Sequence, residues 1–344
     1  MTSTPRTSDT PRTLHTPDRS DASNTSDTSD AFNTSNASDT HDLRSQLDSL
    51  TTEAFRPELA EIDRLSTLEI ATLMNGEDAG VPGAVARQLP GIAAAIDAVA
   101  ARMSRGGRLV YAGAGTAGRL GVLDASECPP TFNTDPAQVV GLIAGGPPAM
   151  VTSVEGAEDS ADLARADLDA LALTPEDTVV GVSASGRTPY AIAAVEHARR
   201  LGALTIGLAC NPDSALSAAA EHGIEIVVGP ELITGSTRLK AGTAQKLVLN
   251  MLSTITMIRL GKTYGNLMVD VRATNDKLRA RSRRIVALAT GAADEEIERA
   301  LADSGGEVKD AILSILADVD GRTAARLLAE NRGRLRAALT AARD

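Results

Sequence analysis

From about residue 58 onward, short apolar segments alternate with amphipathic ones, and this alternation predicts an α/β protein. Five segments of five or six residues are strongly apolar and indicate buried strands, at 108–112, 138–143, 178–182, 204–208 and 224–228. Helical spacing of apolar residues occurs before and between them, at 60–75, 81–103, 159–171, 189–201 and 213–221. Strands that alternate with helices form a parallel sheet that helices cover on both faces.

Three other regions complete the predicted organisation. Residues 1–42 form a tail that we expect to be disordered, because 27 of the first 40 residues are Ser, Thr, Asp or Asn. Residues 238–260 read as a long helix that is apolar nearly all round, which is typical of a core or a subunit interface. Residues 276–344 are predicted to form a small helical domain. The α/β domain with its flanking helices would then occupy residues 43–275.

Composition and charge narrow the class of partner. The 344 residues carry 34 basic and 45 acidic side chains, a net charge of -11, and only 2% aromatic residues. A nucleic-acid partner is therefore not expected, since both a basic surface and stacking side chains are lacking. Membrane insertion is not expected either, because the best uncharged stretch without Gly or Pro, 247–258, is shorter than the roughly 20 residues that a span needs. Two cysteines and four scattered histidines favour a reducing cytoplasm and no metal site.

A glycine-rich segment, Gly113–Gly118, follows the first predicted strand and opens a helix. It has the G-x-G-x-x-G spacing of dinucleotide-binding folds. The acidic residue that would hold a ribose is missing, because the next strand ends in Ala144-Gly145-Gly146. We therefore expect no nucleotide cofactor. A turn of this kind at a helix N-terminus still binds anions, although it can also be a tight turn and nothing more.

A serine-rich segment, Ser183–Thr188, lies in the same position after the third strand. Its three hydroxyls and the N–H groups of a turn could surround the oxygens of one phosphate monoester. Helix capping by Ser185 or Thr188 would explain one hydroxyl but not all three. The pattern therefore favours a phosphate site.

Three more segments carry candidate chemistry, each with an ordinary structural explanation beside it. Asp124–Pro130 places two acids where the helix after the glycine-rich segment is predicted to close, which opposes the helix dipole. Glu155–Ser160 precedes a helix, where acids are stabilising in any case. Thr234–Thr243 leads into the long helix and is rich in hydroxyls, so that it could hold substrate or shape a dimer contact. The ordinary explanation is that Ser236 or Thr237 caps the helix.

Taken together, these segments resemble the N-acetylmuramic acid 6-phosphate etherases. The resemblance rests on Leu123–Thr131, Val154–Asp159, Ser183–Tyr190, Lys240–Lys246 and Gly265–Val271. It extends from about residue 51 to residue 291 and more loosely to the C-terminus, and it does not include the tail. Several long motifs in the same order make it specific.

The resemblance implies a fold and a reaction. The fold would be the sugar-isomerase (SIS) fold, a three-layer αβα sandwich around a five-stranded parallel sheet, here with the small C-terminal helical domain. The protein would be a cytoplasmic homodimer with its active site near the subunit interface, and it would need neither cofactor nor metal. It would be a lyase that uses water to cleave the D-lactyl ether of N-acetylmuramic acid 6-phosphate, which yields N-acetylglucosamine 6-phosphate and D-lactate during cell-wall recycling.

Matching the motifs residue by residue assigns the site. The two catalytic carboxylates fall on Glu127 and Glu158. Hydroxyls for the substrate phosphate fall on four residues, Ser183, Ser185, Thr188 and Thr116. Further possible substrate contacts are Gly115, Ser126 and Lys240. Ala117 departs from related phosphosugar folds, which often have a serine there, so that the serine-rich segment is the stronger half of the expected phosphate site.

The implied chemistry is an elimination followed by a hydration. In the open-chain sugar the C2 proton is acidic because it lies next to an aldehyde, and the reaction needs one base and one acid whose pKa values differ. We assign Glu158 as the base at C2 and Glu127 as the acid that protonates departing lactate. Two other hypotheses remain: a phosphosugar-binding regulator without catalysis on the same fold, and an aldose–ketose isomerase.

Overall fold

The computed structural model describes residues 50–271 and 276–343. The predicted disordered tail, residues 1–42, lies outside these described residues. Five strands form the central sheet, namely β1 (Leu109–Gly113), β2 (Val139–Ile143), β3 (Thr178–Val182), β4 (Leu204–Ala209) and β5 (His222–Glu225). All five are parallel, as the alternating sequence pattern predicts, and they lie in the order β2-β1-β3-β4-β5.

Eight helices precede or connect the strands or follow the sheet. They are α1 (Thr67–Asp78), α2 (Val81–Ala86), α3 (Leu89–Met103), α4 (Gly115–Phe132), α5 (Ala161–Ala170), α6 (Pro189–Arg200), α7 (Ala215–Ala219) and α8 (Lys240–Arg259). A short antiparallel pair follows, β6 (Thr263–Tyr264) and β7 (Leu267–Met268). Five more helices end the described chain, α9 (Asp276–Thr290), α10 (Asp294–Asp303), α11 (Val308–Ala317), α12 (Gly321–Glu330) and α13 (Leu335–Ala341).

The sheet is buried on both faces, which confirms the predicted three-layer sandwich. Leu109 and Tyr111 of β1 pack in one apolar cluster with α3, α4 and α8. Their neighbours Val110 and Ala112 point the other way and pack with α5 and α6. Successive strand residues point to opposite faces, so a strand covered on both faces must be apolar throughout. This explains why the strands appear in the sequence as continuous apolar runs.

The C-terminal helices have an apolar cluster of their own. It is formed by α9 to α13 together with Val269 and Val271, which precede α9. Buried Ile312 and Leu313 of α11 belong to this cluster. The helical character predicted for this part of the chain is therefore confirmed. The division between residues 275 and 276 stays a prediction, since residues 272–275 are outside the described ranges.

Some helices and strands begin or end at residues other than those that the sequence predicts. The helix predicted at 60–75 begins at α1, because Ser66 and Glu69 form a capping box that starts a new helix. The helix predicted at 81–103 is two helices, since Pro90 lacks an N–H and suits a first turn better than an interior. The strand predicted at 224–228 pairs with β4 over His222–Glu225, and the helix predicted at 213–221 is limited to α7.

Within 50–271 and 276–343 no single helix is both long enough and apolar enough to cross a bilayer. Residues 67–86 and 89–103 reach that length and apolarity only as a pair bent by 61°. Ile92, Ile96 and Val99 of α3 are buried within the protein.

Candidate active site

Two loops start side by side at the carboxyl ends of β1 and β3. Gly113, the last residue of β1, pairs with Val182, the last residue of β3. The glycine loop, Gly113–Gly118, and the serine loop, Ser183–Thr188, therefore leave adjacent strands at the same edge. The carboxyl edge of an open parallel sheet is where ligands bind in α/β proteins of this kind.

The serine loop gathers its hydroxyls into one cluster. The Ser183 hydroxyl, 3% exposed, lies 2.8 Å from the Thr188 hydroxyl and 3.2 Å from that of Ser185. Backbone N–H groups point at the same oxygens, because Gly186 N donates to Ser183 Oγ at 3.0 Å and Arg187 N donates to Ser185 Oγ at 3.2 Å. Thr188 precedes α6 without capping it through its side chain. Ordinary capping therefore does not explain the three hydroxyls.

The glycine loop is set by close packing. Gly115 has φ +53, a left-handed backbone conformation that glycine adopts without strain. A Cβ on Gly118 would lie 2.6 Å from the carbonyl oxygen of Gly113, so only glycine lets α4 pack this closely on β1. Thr116, partly exposed, lies beside Gly242 of α8. The spacing that resembles a dinucleotide motif thus has a packing explanation.

Glu158 lies next to the serine loop in the same chain. Its carbonyl oxygen accepts a hydrogen bond from the N–H of Tyr190 at 3.0 Å, two residues after Thr188. Tyr190 is itself fixed, because its ring is buried and its hydroxyl donates to Asp167 Oδ2 at 2.6 Å. The Glu158 side chain is exposed. A carboxylate on a short anchored loop beside the hydroxyl cluster is well placed to meet a ligand held there.

Glu127 lies elsewhere on the same chain. It follows Gly115 by twelve residues of α4, which corresponds to about 18 Å along the helix axis, away from the carboxyl edge. The predicted helix end at Asp124–Pro130 is wrong, because α4 runs through Pro129 and ends at Phe132, with Asn133 in the left-handed conformation. One chain therefore brings Glu158, but not Glu127, to the serine loop.

An open pocket of about 520 Å³ lies at Glu127, which we call the Glu127 pocket. Side chains from α4 and α8 line it, among them Leu123, Asp124, Glu127, Lys246, Asn250 and Ser253. Asp124 accepts hydrogen bonds from the Tyr111 hydroxyl at 2.8 Å and the Ser253 hydroxyl at 3.1 Å. Burial raises the pKa of Asp124 despite these bonds. The nearby Ser126 hydroxyl is used locally, donating to the carbonyl of Leu123 at 2.8 Å.

Lys240, a possible substrate contact from the sequence, is buried in an ion pair. Its Nζ lies 2.6 Å from Glu77 Oε2 of α1, and Glu77 also pairs with Arg56 at 2.7 Å. The hydrogen bond from Lys240 lowers the pKa of Glu77. The ammonium therefore joins α1 to the start of α8.

The start of α8 shows a buried acid that the sequence analysis missed. Glu231 is fully buried, and its carboxylate accepts the N–H groups of Lys240 at 3.0 Å and Ala241 at 2.9 Å. The predicted caps Ser236 and Thr237 lie before Leu239, which precedes the helix and makes no side-chain cap. A carboxylate nine residues away replaces them, and no local spacing rule indicates it.

Residues 50–271 and 276–343 contain no group of three or more His, Cys, Asp or Glu side chains placed to hold a metal ion. Cys128 and Cys210 are unpaired and buried. Burial raises the pKa of each thiol to about 12, so that neither is a ready nucleophile.

Comparison with known proteins gives the family. A protein of Streptomyces coelicolor is 84% identical over 301 residues, which cover 88% of this chain and 97% of the relative. The relative is named N-acetylmuramic acid 6-phosphate etherase. This chain belongs to the N-acetylmuramic acid 6-phosphate etherase family. Two more family members, from Streptomyces avermitilis and Serratia proteamaculans, are 82% and 57% identical over 87% and 86% of the chain, and over 96% and 99% of their own lengths.

Domain models agree with the family assignment. Residues 158–255 match the SIS domain, and residues 91–199 match the glucokinase regulatory protein N-terminal SIS domain. Among solved structures, a phosphoheptose isomerase from Francisella tularensis aligns with a TM-score of 0.44 at 20% identity, over 56% of this chain and 100% of that one. The match to the SIS domain over residues 158–255 confirms the predicted SIS fold. The similar relatives are named as etherases, which favours an enzyme over a regulator without catalysis.

Proposed function

We propose that the protein is a cytoplasmic lyase that cleaves the D-lactyl ether of N-acetylmuramic acid 6-phosphate. The products would be N-acetylglucosamine 6-phosphate and D-lactate, formed during the recycling of cell-wall amino sugars. The observation that carries the proposal is the 84% identity, over 88% of the chain, to a relative named for this activity. The site motifs Leu123–Thr131, Val154–Asp159 and Ser183–Tyr190 lie in the part of the chain described above.

The serine loop would bind the substrate phosphate. Ser183, Ser185 and Thr188 present clustered hydroxyls, and the loop supplies backbone N–H groups to the same cluster. Thr116 would add a hydroxyl from the adjacent glycine loop, whose Gly115 opens α4. Such a site holds an anion through many short hydrogen bonds and the dipole of the following helix. Because the phosphate is remote from C2 and C3, its binding energy serves to position the open-chain sugar.

The two glutamates would then divide the proton transfers. Glu158 takes the proton from C2, the C3–O bond breaks, and its electron pair leaves on the lactyl oxygen, which Glu127 protonates. Glu127, now ionised, takes a proton from the water that adds to C3, while Glu158 returns its proton to C2. Each transfer of this kind contributes about 10²–10⁴-fold in rate. Nearby hydroxyls and N–H groups would stabilise the enolate oxygen.

The partner subunit of a homodimer would supply Glu127. Within one chain the carboxylates lie on different elements, with Glu158 at the serine loop and Glu127 about 18 Å down α4 from that edge. The outer sides of α4 and α8 also expose apolar residues, with Leu123 at 47% and Ile258 at 46%. A two-fold contact through these helices would cover them and would bring each Glu127 to the other subunit's serine loop.

Turnover of the pure protein tests the proposal. N-Acetylmuramic acid 6-phosphate should yield D-lactate and N-acetylglucosamine 6-phosphate in equal amounts. Glu127→Gln and Glu158→Gln should each lower kcat about 10²–10⁴-fold, while substrate binding persists. Ser183→Ala should instead raise KM. An isomerase would give a ketose that keeps its lactyl group, and a regulator would give no product; either result would refute the proposal.

A further inference from the structure

The Glu127 pocket contains a cation that the proposed proton transfers do not use. Lys246 of α8 lines the pocket together with Glu127, and it is the one basic side chain among the described residues that line it. Its side chain is exposed, and no carboxylate of the described residues lies within ion-pair distance of its ammonium. The ammonium is therefore available to a ligand that enters the pocket.

Neighbouring amides and carboxylates fix where this ammonium lies. The hydrogen-bonding network favours the orientation of the Asn250 amide in which its oxygen accepts from Lys246 Nζ at 3.0 Å and its nitrogen donates to Asp124 Oδ1 at 3.1 Å. Asp124 is in turn fixed by Tyr111 and Ser253. Lys246 and Asn250 are four residues apart and so share one side of α8, facing α4.

The leaving group carries an anion of its own, which is a suitable ligand for the Lys246 ammonium. Lactate leaves through an oxygen that is bonded to the carbon bearing its own carboxylate, so whatever protonates that oxygen works beside a negative charge. Without a cation in the same pocket, this charge would oppose an ionised Glu127 in the hydration step. Two apolar side chains that line the pocket, Leu123 and Ile258, suit the lactyl methyl group.

We propose that Lys246, held by Asn250, binds the carboxylate of the lactyl group and sets the specificity for an acidic ether substituent. The inference rests on the proposed function, because it takes the lactyl ether as the bond that is cleaved. It assigns the two anionic ends of the substrate to separate sites. The phosphate binds at the serine loop of one subunit, and the lactyl carboxylate of the same molecule binds at the Glu127 pocket of the other subunit.

A comparison of two substrates tests the role of Lys246. The first is N-acetylmuramic acid 6-phosphate, and the second is the same molecule with the lactyl carboxylate converted to a neutral amide. The wild-type protein should prefer the acid by about 10–100-fold in kcat/KM, the range expected for a hydrogen-bonded charge pair. Lys246→Met should lose most of that preference, and Lys246→Arg should retain part of it. Lys277→Met, an exposed lysine of α9, is the matched control and should change nothing.

Binding measurements separate this inference from the proposed function. In a Glu127→Gln background, calorimetry should show weaker binding of the acid after Lys246→Met, with unchanged binding of N-acetylglucosamine 6-phosphate, which lacks the lactyl group. A Lys246→Met variant that still prefers the acid as the wild type does would overturn the inference, even if D-lactate is released. Equal weakening for both sugars would also overturn it, since a general structural role would have that effect. Absence of D-lactate release from the wild-type protein would refute the proposed function alone, provided that binding still depends on Lys246.

Discussion

At the scale of single residues, Asp177 shows how the sheet fixes a buried charge. Its carboxylate lies just before β3 and accepts hydrogen bonds from Arg108 Nε at 3.0 Å, Arg108 N at 2.8 Å and Thr174 N at 2.7 Å. Burial opposes its ionisation, but the hydrogen bonds from Arg108 and Thr174 outweigh burial and lower the pKa of Asp177. The ionised form is therefore part of the folded structure, joining the starts of β1 and β3.

Replacing this carboxylate should cost stability in a pH-dependent way. Asp177→Asn should lower the free energy of unfolding by about 2–4 kcal/mol near neutral pH, because a buried pair is broken and Arg108 loses its partner. The folded-state pKa lies below the unfolded value of about 3.9, so the contribution is complete above that pH and is lost as pH falls through the folded-state pKa. Urea unfolding at about pH 7 and about pH 3 should show the difference from wild type shrinking in acid.

The adjacent residue provides the matched control for this experiment. Glu176 pairs with Arg105 at 2.6 Å, and both side chains are substantially exposed. Glu176→Gln should therefore leave the free energy of unfolding close to the wild-type value, since exposed ion pairs contribute little. Equal effects of the two substitutions, or an Asp177→Asn deficit that grows as pH falls, would contradict the account of Asp177.

At the scale of elements, the N-terminus of α8 is held in place by a loop carboxylate and by an ion pair to α1. Glu231 accepts two of the N–H groups that the first turn cannot satisfy internally, and Lys240 in that turn pairs with Glu77 of α1. Negative charge at this end also complements the helix dipole. One loop residue thereby fixes where a twenty-residue helix begins.

Neutralising that carboxylate should destabilise the start of α8. Glu231→Gln keeps the size of the side chain, but its amide NH₂ would face one of the two backbone N–H groups that the carboxylate accepts. The loss of that hydrogen bond should lower the free energy of unfolding by about 1–3 kcal/mol. Denaturant titration measures this free energy of unfolding. The control is Glu221→Gln, which replaces an exposed acid near β5 and should stay within about 0.5 kcal/mol of wild type. A Glu231→Gln protein as stable as the control would show that the cap contributes nothing.

The elements were predictable where a local pattern determines them. Strand β3 begins and ends where its apolar run predicts, because Asp177 and Ser183 bound the run. The course of α4 was not predictable, since Pro129 and Pro130 indicate a helix end that packing against β2 and α8 overrides. The contact of Glu231 with α8 was not predictable either, because an irregular loop brings the two together.

The candidate site likewise contains parts that the sequence predicts and parts that it does not. The serine loop was found from its position after a strand and its three hydroxyls. The assignment of Glu127 and Glu158 came from the resemblance, because a carboxylate on a helix or beside one has an ordinary structural explanation. The burial of Lys240 beside Glu77 was not visible in the sequence, since the two residues are far apart along the chain.

At the scale of the whole molecule, we propose that each active site takes its reacting groups from two subunits. The serine loop and Glu158 lie together, while Glu127 and Lys246 share a pocket farther down α4 and α8. A two-fold dimer would make two equivalent sites, each taking its serine loop from one subunit and its Glu127 from the other. We expect turnover to need both halves, so that activity should depend on how mutations are distributed between the two subunits.

A mixed dimer tests this claim most directly. Glu127→Gln and Glu158→Gln subunits with different affinity tags are coexpressed, and dimers that carry both tags are isolated and assayed for D-lactate release. One of the two sites then keeps both glutamates, so that the mixed dimer should regain about half of the wild-type activity while each parent dimer stays inactive. A mixed dimer as inactive as its parents would contradict a site shared between subunits.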